Sequence, residues 1–299
     1  MIYSFNPLLV KKVWGGHEVS HFKGMPESAD AIGESWEVSA VPGMESIVND
    51  GPEAGLTLPG LIRIHGQNLL GKKCVDRYGL EFPLLIKFID AKEDLSVQVH
   101  PDDAMAVELE GPGHFGKTEM WHVVETTAPG AHLLAGFRDG VTREAYEAVE
   151  GTEGIMPLLC DHQVKPGEEY FLPAGTVHAI GAGCFVAEVQ QSSDITYRIY
   201  DYGRPREMHL QKARKAIKFG APYTNEPFDL FSVETRTAAA PEELECPRDS
   251  FSIVMVLDGE GQFGVHPVLR GSTLLISADN GPVDVTPGAH PLTYLYVKL

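Results

Sequence analysis

The sequence lacks any apolar run close to the 18–20 residues that a membrane span requires. Its first residues, MIYSFNPLLVKKVWGG, also lack the charged start and the long apolar core of a signal peptide. Cysteine is scarce, and Cys74, Cys160, Cys184 and Cys246 are scattered without CxxC spacing. We therefore expect free thiols in a reducing cytoplasm rather than disulfides or thiolate metal sites.

Positive charge is also in short supply. The chain has 24 Lys and Arg residues against 42 Asp and Glu residues, which gives a formal net charge of −18. Such a surface repels nucleic acid and acidic membranes, so we expect neither as a partner. An anionic metabolite would be repelled as well, unless lysines and arginines gather in its site. No segment indicates an obligate interface, so we expect a monomer or a weak homodimer.

Short strands and turns dominate what the sequence does contain. Stretches such as PLLVKKVWGG and ITYRIYDYG are brief and end at Gly, Pro or Asn-Asp. FPLLIKFID is apolar on both faces and predicts a buried strand, whereas HPDDAMAVELEG predicts a short helix with Asp102 as its N-cap and Gly111 at its end. Many short strands with regular turn signals favour an antiparallel sandwich or barrel.

The most specific local signal is GEEYFLPAGTVHAIG, at residues 167–181. It fits the pattern G-x5-P-x-G-x2-H, with Gly167, Pro173, Gly175 and His178 in place. A strand enters a tight Pro-x-Gly turn, and the next strand begins with His178 pointing into the barrel. This arrangement resembles the second signature of the cupin jelly roll.

Gln98, His100 and Glu119 complete a predicted metal site with His178. Gln98 and His100 are two residues apart on a predicted strand, so both side chains point to one face, about 7 Å apart. The first cupin signature usually carries histidine at both of these positions, so Gln98 is a departure. Two imidazoles, one carboxylate and one amide oxygen suit a divalent ion, zinc first, with positions open for a substrate.

Charged residues also interrupt strands that are otherwise apolar. Lys87 stands in LLIKFI, Glu188 in FVAEVQQ and Arg198 in TYRIYDYGR. Lysine is rarely buried unless it is paired, so we interpret Lys87 as a cation that faces an acid or an anionic substrate inside the barrel. The alternative is a lysine at a strand end whose ammonium reaches water. Alternation places Arg198 on the less apolar face of its strand, which by itself favours a surface position.

Four long segments resemble type I mannose-6-phosphate isomerase of the shorter bacterial form: FPLLIKFIDAKEDLSVQVHPDD, GKTEMWHVVE, LPAGTVHAIG and SSDITYRIYDYGR. The resemblance extends over essentially the whole chain. It implies one zinc ion per chain and the interconversion of mannose 6-phosphate and fructose 6-phosphate through an enediol. It also implies zinc ligands at Gln98, His100, Glu119 and His178, active-site lysines at Lys87 and Lys117, and an active-site acid and arginine at Glu188 and Arg198.

Several functional points stay open at this stage. The general base is either Glu188 or Lys117, and ring opening is assigned to His122 or to a zinc-bound water. A sugar-binding cupin without catalysis is one alternative function, but it would have no need for Lys87, Lys117, Glu188 and Arg198. An iron-dependent cupin dioxygenase is another, which Gln98 disfavours because those enzymes usually have three imidazoles, or two with a carboxylate.

We predict a mainly β fold of two cupin-like jelly-roll barrels with short helical insertions. Residues 1–220 would form the catalytic barrel, with helical segments at about 57–73 and 142–159. Residues 221–299 would form a linker or an irregular crossing, at 221–245, and a degenerate barrel without metal ligands. In that last part, LRGSTLLISADNGP puts Ser277, Asp279 and Pro282 at the Pro, Gly and His positions of the cupin signature.

Overall fold

Four antiparallel β-sheets make up the protein, as a computed structural model describes it over residues 1–220 and 223–299. The strands up to residue 220 are β1 (Ile2–Asn6), β2 (Leu8–Gly16), β3 (Ile32–Val38), β4 (Ile47–Val48), β5 (Leu84–Ala91), β6 (Val97–Val99), β7 (Glu119–Thr126), β8 (His132–Phe137), β9 (Leu159–Gln163), β10 (Glu169–Leu172), β11 (His178–Ile180), β12 (Cys184–Gln191) and β13 (Tyr197–Tyr200). The later strands are β14 (Ser232–Ala238), β15 (Glu242–Leu244), β16 (Ser252–Asp258), β17 (Glu260–Phe263), β18 (His266–Leu269), β19 (Thr273–Ile276), β20 (Val283–Pro287) and β21 (Leu292–Lys298).

The helices are short, as the sequence predicts. They are α1 (Glu18–Phe22), α2 (Leu58–His65), α3 (Gln67–Leu70), α4 (Lys72–Tyr78), α5 (Asp103–Glu110), α6 (Arg143–Glu147), α7 (Leu210–Ala216) and a 3-10 helix (Glu153–Leu158). Asp102 caps α5, because its carboxylate accepts the backbone N–H of Met105. The predicted segment 57–73 is not one helix but three, since Gly66 and Gly71 adopt φ values of 51° and 83° and end α2 and α3. None of the helices in the described ranges is long and apolar enough to span a membrane.

Two barrels stack against each other. In the first, the sheet β10-β7-β12-β5-β3-β2 faces the sheet β13-β6-β11-β8-β9 across an apolar core that includes Trp14, Ile89, Trp121 and Val186. In the second, the sheet β14-β21-β16-β19-β1-β4 faces the sheet β15-β20-β17-β18. The predicted class, mainly β with two jelly-roll barrels, is confirmed.

The two six-stranded sheets share the largest apolar core. On β16, Ile253 and Met255 belong to this shared core, whereas Val254 and Val256 face the interior of the second barrel. Successive side chains of a strand point to opposite faces of the sheet. Because both faces of β16 are covered, its residues are apolar on both. The strand β5 is buried along its whole length for the same reason, which confirms the prediction for FPLLIKFID.

The C-terminal part of the chain contains more regular structure than its sequence predicted. The segment 221–245 was expected to be a linker or an irregular crossing. The prediction is wrong for β14 and β15, which lie within it and pair with β21 and β20. Residues 221 and 222 lie outside the described ranges. The division of the chain at residue 220 stays a prediction, and β1 and β4 from the start of the chain join the sheet of β16, β19 and β21.

The cysteines conform to the expectation of free thiols. Cys74, Cys184 and Cys246 are buried, Cys160 is half-buried, and all four are unpaired. Burial raises the pKa of Cys74 and of Cys184 to about 12, so these thiols are inert packing groups.

Candidate active site and metal centre

Three buried side chains from different strands converge inside the first barrel. His100 directly follows β6, Glu119 begins β7 and His178 begins β11. The Nε2 atom of His178 lies 3.1 Å from Oε1 of Glu119, and that of His100 lies 3.6 Å from Oε2. One donor atom from each residue falls within 4.8 Å of the others, which is a spacing that a single metal ion can bridge.

Backbone carbonyls fix the orientation of both imidazoles. Nδ1 of His100 is 2.8 Å from the carbonyl oxygen of Ile195, and Nδ1 of His178 is 2.8 Å from that of Thr176. Each Nδ1–H therefore donates to a carbonyl, which leaves the Nε2 lone pair directed at Glu119. Burial and the Lys117 ammonium hold the pKa of His100 well below 6.5, so its ring is the neutral form that binds metals.

The carboxylate of Glu119 is the clearest sign that a cation belongs here. Burial raises the pKa of Glu119, but Lys117 and the two imidazoles outweigh it and hold the pKa well below 4.5. Both carboxylate oxygens are buried. Nζ of Lys117 lies 2.6 Å from Oε2 and Nε2 of His178 lies 3.1 Å from Oε1, but neither contact has hydrogen-bond geometry. A buried carboxylate without hydrogen bonds is costly. A divalent ion would satisfy it, so the donor set fits a metal.

Gln98 occupies the fourth predicted ligand position. It lies directly opposite His178 on β11 and opposite Arg198 on β13. Its amide Nε2 lies 3.4 Å from Nε2 of His100 and 3.4 Å from Nε2 of His178. Metal binding by this residue requires the amide to turn, so that its oxygen takes the place of its nitrogen.

A second group of functional side chains lies in one row across four strands. Trp36 on β3 is opposite Lys87 on β5, Lys87 is opposite Glu188 on β12, and Glu188 is opposite Trp121 on β7. Residues that are directly opposite share a face of the sheet, so this row forms one wall of the barrel interior. The indole N–H of Trp121 donates to Oε2 of Glu188 at 2.9 Å and orients its carboxylate.

Lys87 is buried and paired. Its Nζ atom lies 3.1 Å from Oε1 of Glu188, donates to Oε1 of Gln190 at 2.8 Å and lies 4.9 Å from the centre of the Trp36 ring. Burial lowers the pKa of Lys87, but Glu188 and Glu34 outweigh it and raise the pKa above 10.5. Lys87 is therefore an ammonium, and the alternative in which it reaches water is wrong.

Lys117 lies beside the metal-ligand cluster. Its Nζ atom is 2.6 Å from Oε2 of Glu119 and 3.0 Å from Nε2 of His100. Gly116 makes this placement possible, because a Cβ atom there would lie 2.6 Å from the backbone of Asp102. The close approach of the two segments delivers Lys117 to the cluster.

Arg198 lines the same pocket as Gln98, Lys87, Lys117 and Glu188, so it does not take the surface position that alternation alone favoured. Its Nη1 donates to the carbonyl of Glu207 at 2.7 Å. Its buried Nε finds no hydrogen-bond acceptor among the described residues. Burial and the nearby Arg206 lower the pKa of Arg198.

Sequence reasoning missed Lys12, Glu34, Trp36 and Arg206, which also line the pocket. Glu34 accepts the indole N–H of Trp36 at 2.6 Å and lies 3.1 Å from Nζ of Lys12. A signal was present, because Glu34 and Trp36 are two residues apart in IGESWEV, as Gln98 and His100 are in VQVH. Arg206 gave no such signal, since it lies in a loop.

The suggestion that His122 opens the sugar ring is wrong. On β7 it alternates with Trp121 and lies opposite Ala187 rather than Glu188. It therefore faces away from the pocket, and its Nδ1 lies 3.3 Å from Oε1 of Glu169.

Comparisons with known proteins identify a family of related isomerases. A family model for the catalytic domain of type I phosphomannose isomerase matches residues 2–124. Mannose-6-phosphate isomerase ManA of Bacillus subtilis (strain 168) is 33% identical, and the match covers 91% of each chain. Mannose-6-phosphate isomerase of Streptococcus mutans is 37% identical over 71% of this chain and 66% of its own. The crystal structure of mannose 6-phosphate isomerase from Bacillus subtilis superposes with a TM-score of 0.86 and 29% identity, and covers 100% of this chain and 99% of its own.

The four antiparallel sheets and the buried His–Glu–His cluster define a protein of the cupin type whose first barrel carries residues at metal-ligand spacing. The comparisons narrow this class. The chain belongs to the type I mannose-6-phosphate isomerase family, as its motifs predicted.

Proposed function

We propose that this chain is a zinc-dependent aldose–ketose isomerase that interconverts mannose 6-phosphate and fructose 6-phosphate. One observation carries the proposal: the Lys87–Glu188 pair lines the same pocket as Gln98 and Lys117, which border the His–Glu–His cluster. A charged acid–base pair beside a metal centre is what proton transfer next to a carbonyl requires. The names of the relatives supply the substrate.

The charge of the pocket supports an anionic substrate. Five cationic side chains line it, against three acidic ones, although the chain as a whole carries a net charge of −18. The cations are Lys12, Lys87, Lys117, Arg198 and Arg206, and the acids are Glu34, Glu188 and Asp194. A local excess of positive charge inside an acidic molecule draws an anion to this site rather than to the surface.

The reaction moves a proton between C1 and C2 of the sugar through an enediol. We propose that His100, Glu119, His178 and Gln98 hold the zinc ion. When bound there, zinc supplies a Lewis acid for the substrate oxygens.

The side chains of the pocket wall, Lys87, Glu188 and Trp121, then serve the proton transfer. We assign the proton transfer to Glu188, because Trp121 orients its carboxylate within the pocket wall. Lys117 contacts the Glu119 carboxylate at 2.6 Å and is better suited to donate to the oxygen on which negative charge develops. Lys87 forms an ion pair with Glu188 at 3.1 Å and holds its carboxylate in place.

Arg198 is the proposed partner of the most negative part of the substrate. Its buried Nε has no hydrogen-bond acceptor among the described residues, since the nearest carboxylate oxygen of Asp201 is 4.0 Å away. Arg206 lines the same pocket, but Asp201 holds its guanidinium with two hydrogen bonds of 2.6 Å. Arg198 is therefore the freer of the two to bind phosphate or a developing oxyanion.

A direct assay separates the candidate functions. The zinc-loaded protein should convert mannose 6-phosphate to fructose 6-phosphate and should leave unphosphorylated mannose largely unchanged. A sugar-binding cupin would bind mannose 6-phosphate without turnover. A dioxygenase would consume oxygen and require iron. Either of those results would reject the proposal.

Three further points belong to the same proposal. The four free thiols support a reducing cytoplasm as the place of action. The acidic surface argues against nucleic-acid and membrane partners. We propose a monomer or a weak homodimer.

A further inference from the structure

The wall that carries Lys87 and Glu188 has a rear face, turned away from the pocket. By register, Ser35, Phe88 and Ala187 lie side by side on β3, β5 and β12. They alternate with Trp36, Lys87 and Glu188, which are their chain neighbours on the pocket face. Whatever packs on the rear row therefore fixes the positions of the front row.

The end of helix α1 packs on this rear face. The ring of Phe22 lies 5.1 Å from the ring of Phe88 and 4.9 Å from that of Phe185, centre to centre. The next residue, Lys23, donates to both carboxylate oxygens of Glu37 at 2.9 Å. These residues form a plug behind the catalytic wall, which we call the α1 plug, Phe22 and Lys23.

The α1 plug is tied to β3 through a buried polar contact. Glu37 lies on β3 and also accepts the hydroxyl of Ser35 at 2.6 Å. Lys23 and Glu37 are both nearly excluded from water. A buried ion pair with these additional hydrogen bonds holds its partners in one geometry.

Residues of the second barrel contact the α1 plug from the other side. The carbonyl of Gly271 accepts a short hydrogen bond from Nζ of Lys23. The guanidinium of Arg270 lies 5.2 Å from the centre of the Phe22 ring, and its Nη1 lies 3.6 Å from a carboxylate oxygen of Glu125 on β7. Both residues belong to the turn between β18 and β19.

Gly271 is required at this contact for two reasons. Its φ of 85° is unfavourable for any residue with a side chain. A Cβ atom built on it would lie 2.8 Å from Cγ of Lys23, closer than such atoms approach. Any substitution at residue 271 must therefore displace Lys23.

We propose that the Arg270–Gly271 turn is a positioning element of the active site, acting through the α1 plug on the wall that carries Trp36, Lys87 and Glu188. This inference rests on the catalytic roles proposed above for Lys87 and Glu188. It gives the second barrel, which has no predicted metal ligands, a part in the reaction. Closely packed interiors transmit small displacements, and a shift of about 1 Å at a reacting group can cost a hundredfold in rate.

The first test is Gly271→Ala, with Gly264→Ala as a matched control. Gly264 also lies in the second barrel with a positive φ, 58°, but its nearest neighbour is the end of the Ile2 side chain at 3.9 Å. We expect Gly271→Ala to lower kcat for mannose 6-phosphate about tenfold, with KM and bound zinc unchanged. The control should keep kcat within about twofold of the original protein. Both must be assayed well below their unfolding temperatures.

Lys23→Met provides a second variant, because it removes the hydrogen bonds to Gly271 and Glu37 together. It should lower kcat in the same way. An unchanged kcat in both Gly271→Ala and Lys23→Met would overturn the inference. If Lys23→Met does not fold, Gly271→Ala alone decides, since it keeps both Lys23 and Glu37 in the chain.

Tryptophan fluorescence supplies a readout that needs no catalysis. The three tryptophans of the chain, Trp14, Trp36 and Trp121, all line the active-site pocket. We expect Gly271→Ala, but not Gly264→Ala, to change the emission spectrum of the folded protein. An emission spectrum identical to that of the original protein would contradict the inference, whatever the activity of the protein. Failure to isomerise mannose 6-phosphate would instead reject the proposed function and leave the fluorescence test valid.

Discussion

Lys87 and Glu188 face each other directly across β5 and β12, with Nζ of the lysine 3.1 Å from Oε1 of the glutamate. Both charges are buried, and both lie on the face of the sheet that lines the pocket. Burying two charges is costly and is tolerated only when each satisfies the other. The pair therefore marks a position where the fold retains charge for a purpose other than stability.

The first prediction concerns Glu188. Glu188→Gln keeps the shape of the side chain but cannot take up a proton, so kcat for mannose 6-phosphate should fall at least about a hundredfold with zinc retained. Steady-state kinetics with metal analysis measures this. Glu169→Gln is the control, because Glu169 contacts His122, whose side chain faces away from the pocket. A kcat within a few-fold of the original for Glu188→Gln would transfer the role of base to another group.

The second prediction concerns the metal ligands. His178→Ala should lose most of the bound zinc together with activity, since it removes one of three strong donors. Gln98→Ala should lose less, because a neutral amide is the weakest of the four ligands and must turn to present its oxygen. Elemental analysis after exhaustive dialysis decides between these outcomes.

Histidines of the second barrel provide the matched control for that experiment. His266→Ala and His290→Ala should leave the zinc content unchanged, because the residues that the structure describes contain one His–Glu cluster of ligand spacing, in the first barrel. Loss of zinc in either variant would contradict the assignment of the site.

Much of the site was accessible from the sequence because it follows local rules. The Pro-x-Gly turn before His178 and the two-residue spacing of Gln98 and His100 are properties of one strand and one turn. The family resemblance then supplied Lys87, Lys117, Glu188 and Arg198. The structure brings Gln98, Lys87, Lys117, Glu188 and Arg198 to one pocket, with the His–Glu–His cluster at its border.

The remaining features depend on contacts between distant segments. Nothing near Lys12 or Arg206 indicates that the chain returns them to the pocket, and His122 was misassigned because its strand face depends on register. The strand β14 was taken for part of a linker, since SVETRTA is rich in polar residues. It forms a strand because it is an edge that pairs with β21 along seven positions.

The third prediction concerns Arg198. Arg198→Lys keeps the charge but not the planar fork of donors, so we expect kcat to fall at least about a hundredfold, roughly 2.7 kcal/mol of lost stabilisation. The physical reason is Nε, which has no hydrogen bond to the described residues and can donate to the charge that develops in the enediol. Kinetics on the folded, zinc-loaded variant tests it. An increase confined to KM would mean that Arg198 contributes to binding alone.

The fourth prediction concerns Asp90, a buried carboxyl on the rear face of β5. Burial raises the pKa of Asp90 to about 6, from 3.8 in the unfolded chain. Between these values the folded protein holds a proton that the unfolded chain has lost, so the free energy of unfolding decreases as the pH rises from about 4 to about 6. The full effect is at most about 3 kcal/mol.

Asp90→Asn should remove this pH dependence, because the amide does not ionise but can still accept the N–H of Glu18 that Asp90 accepts at 2.8 Å. The free energy of unfolding of the variant minus that of the original protein should therefore be larger at pH 7.5 than at pH 5. Urea unfolding at the two pH values measures the difference. If this difference in the free energy of unfolding were the same at both pH values, Asp90 would ionise in the folded protein as it does in the unfolded chain.

The central claim, that a zinc ion in the His100–Glu119–His178 cluster supports isomerisation, is tested most directly by titrating metal-free protein with zinc while following fructose 6-phosphate formation from mannose 6-phosphate. We predict negligible activity without metal and a linear rise that saturates at one zinc per chain. Full activity in the metal-free protein, or no conversion at any zinc concentration, would contradict the account.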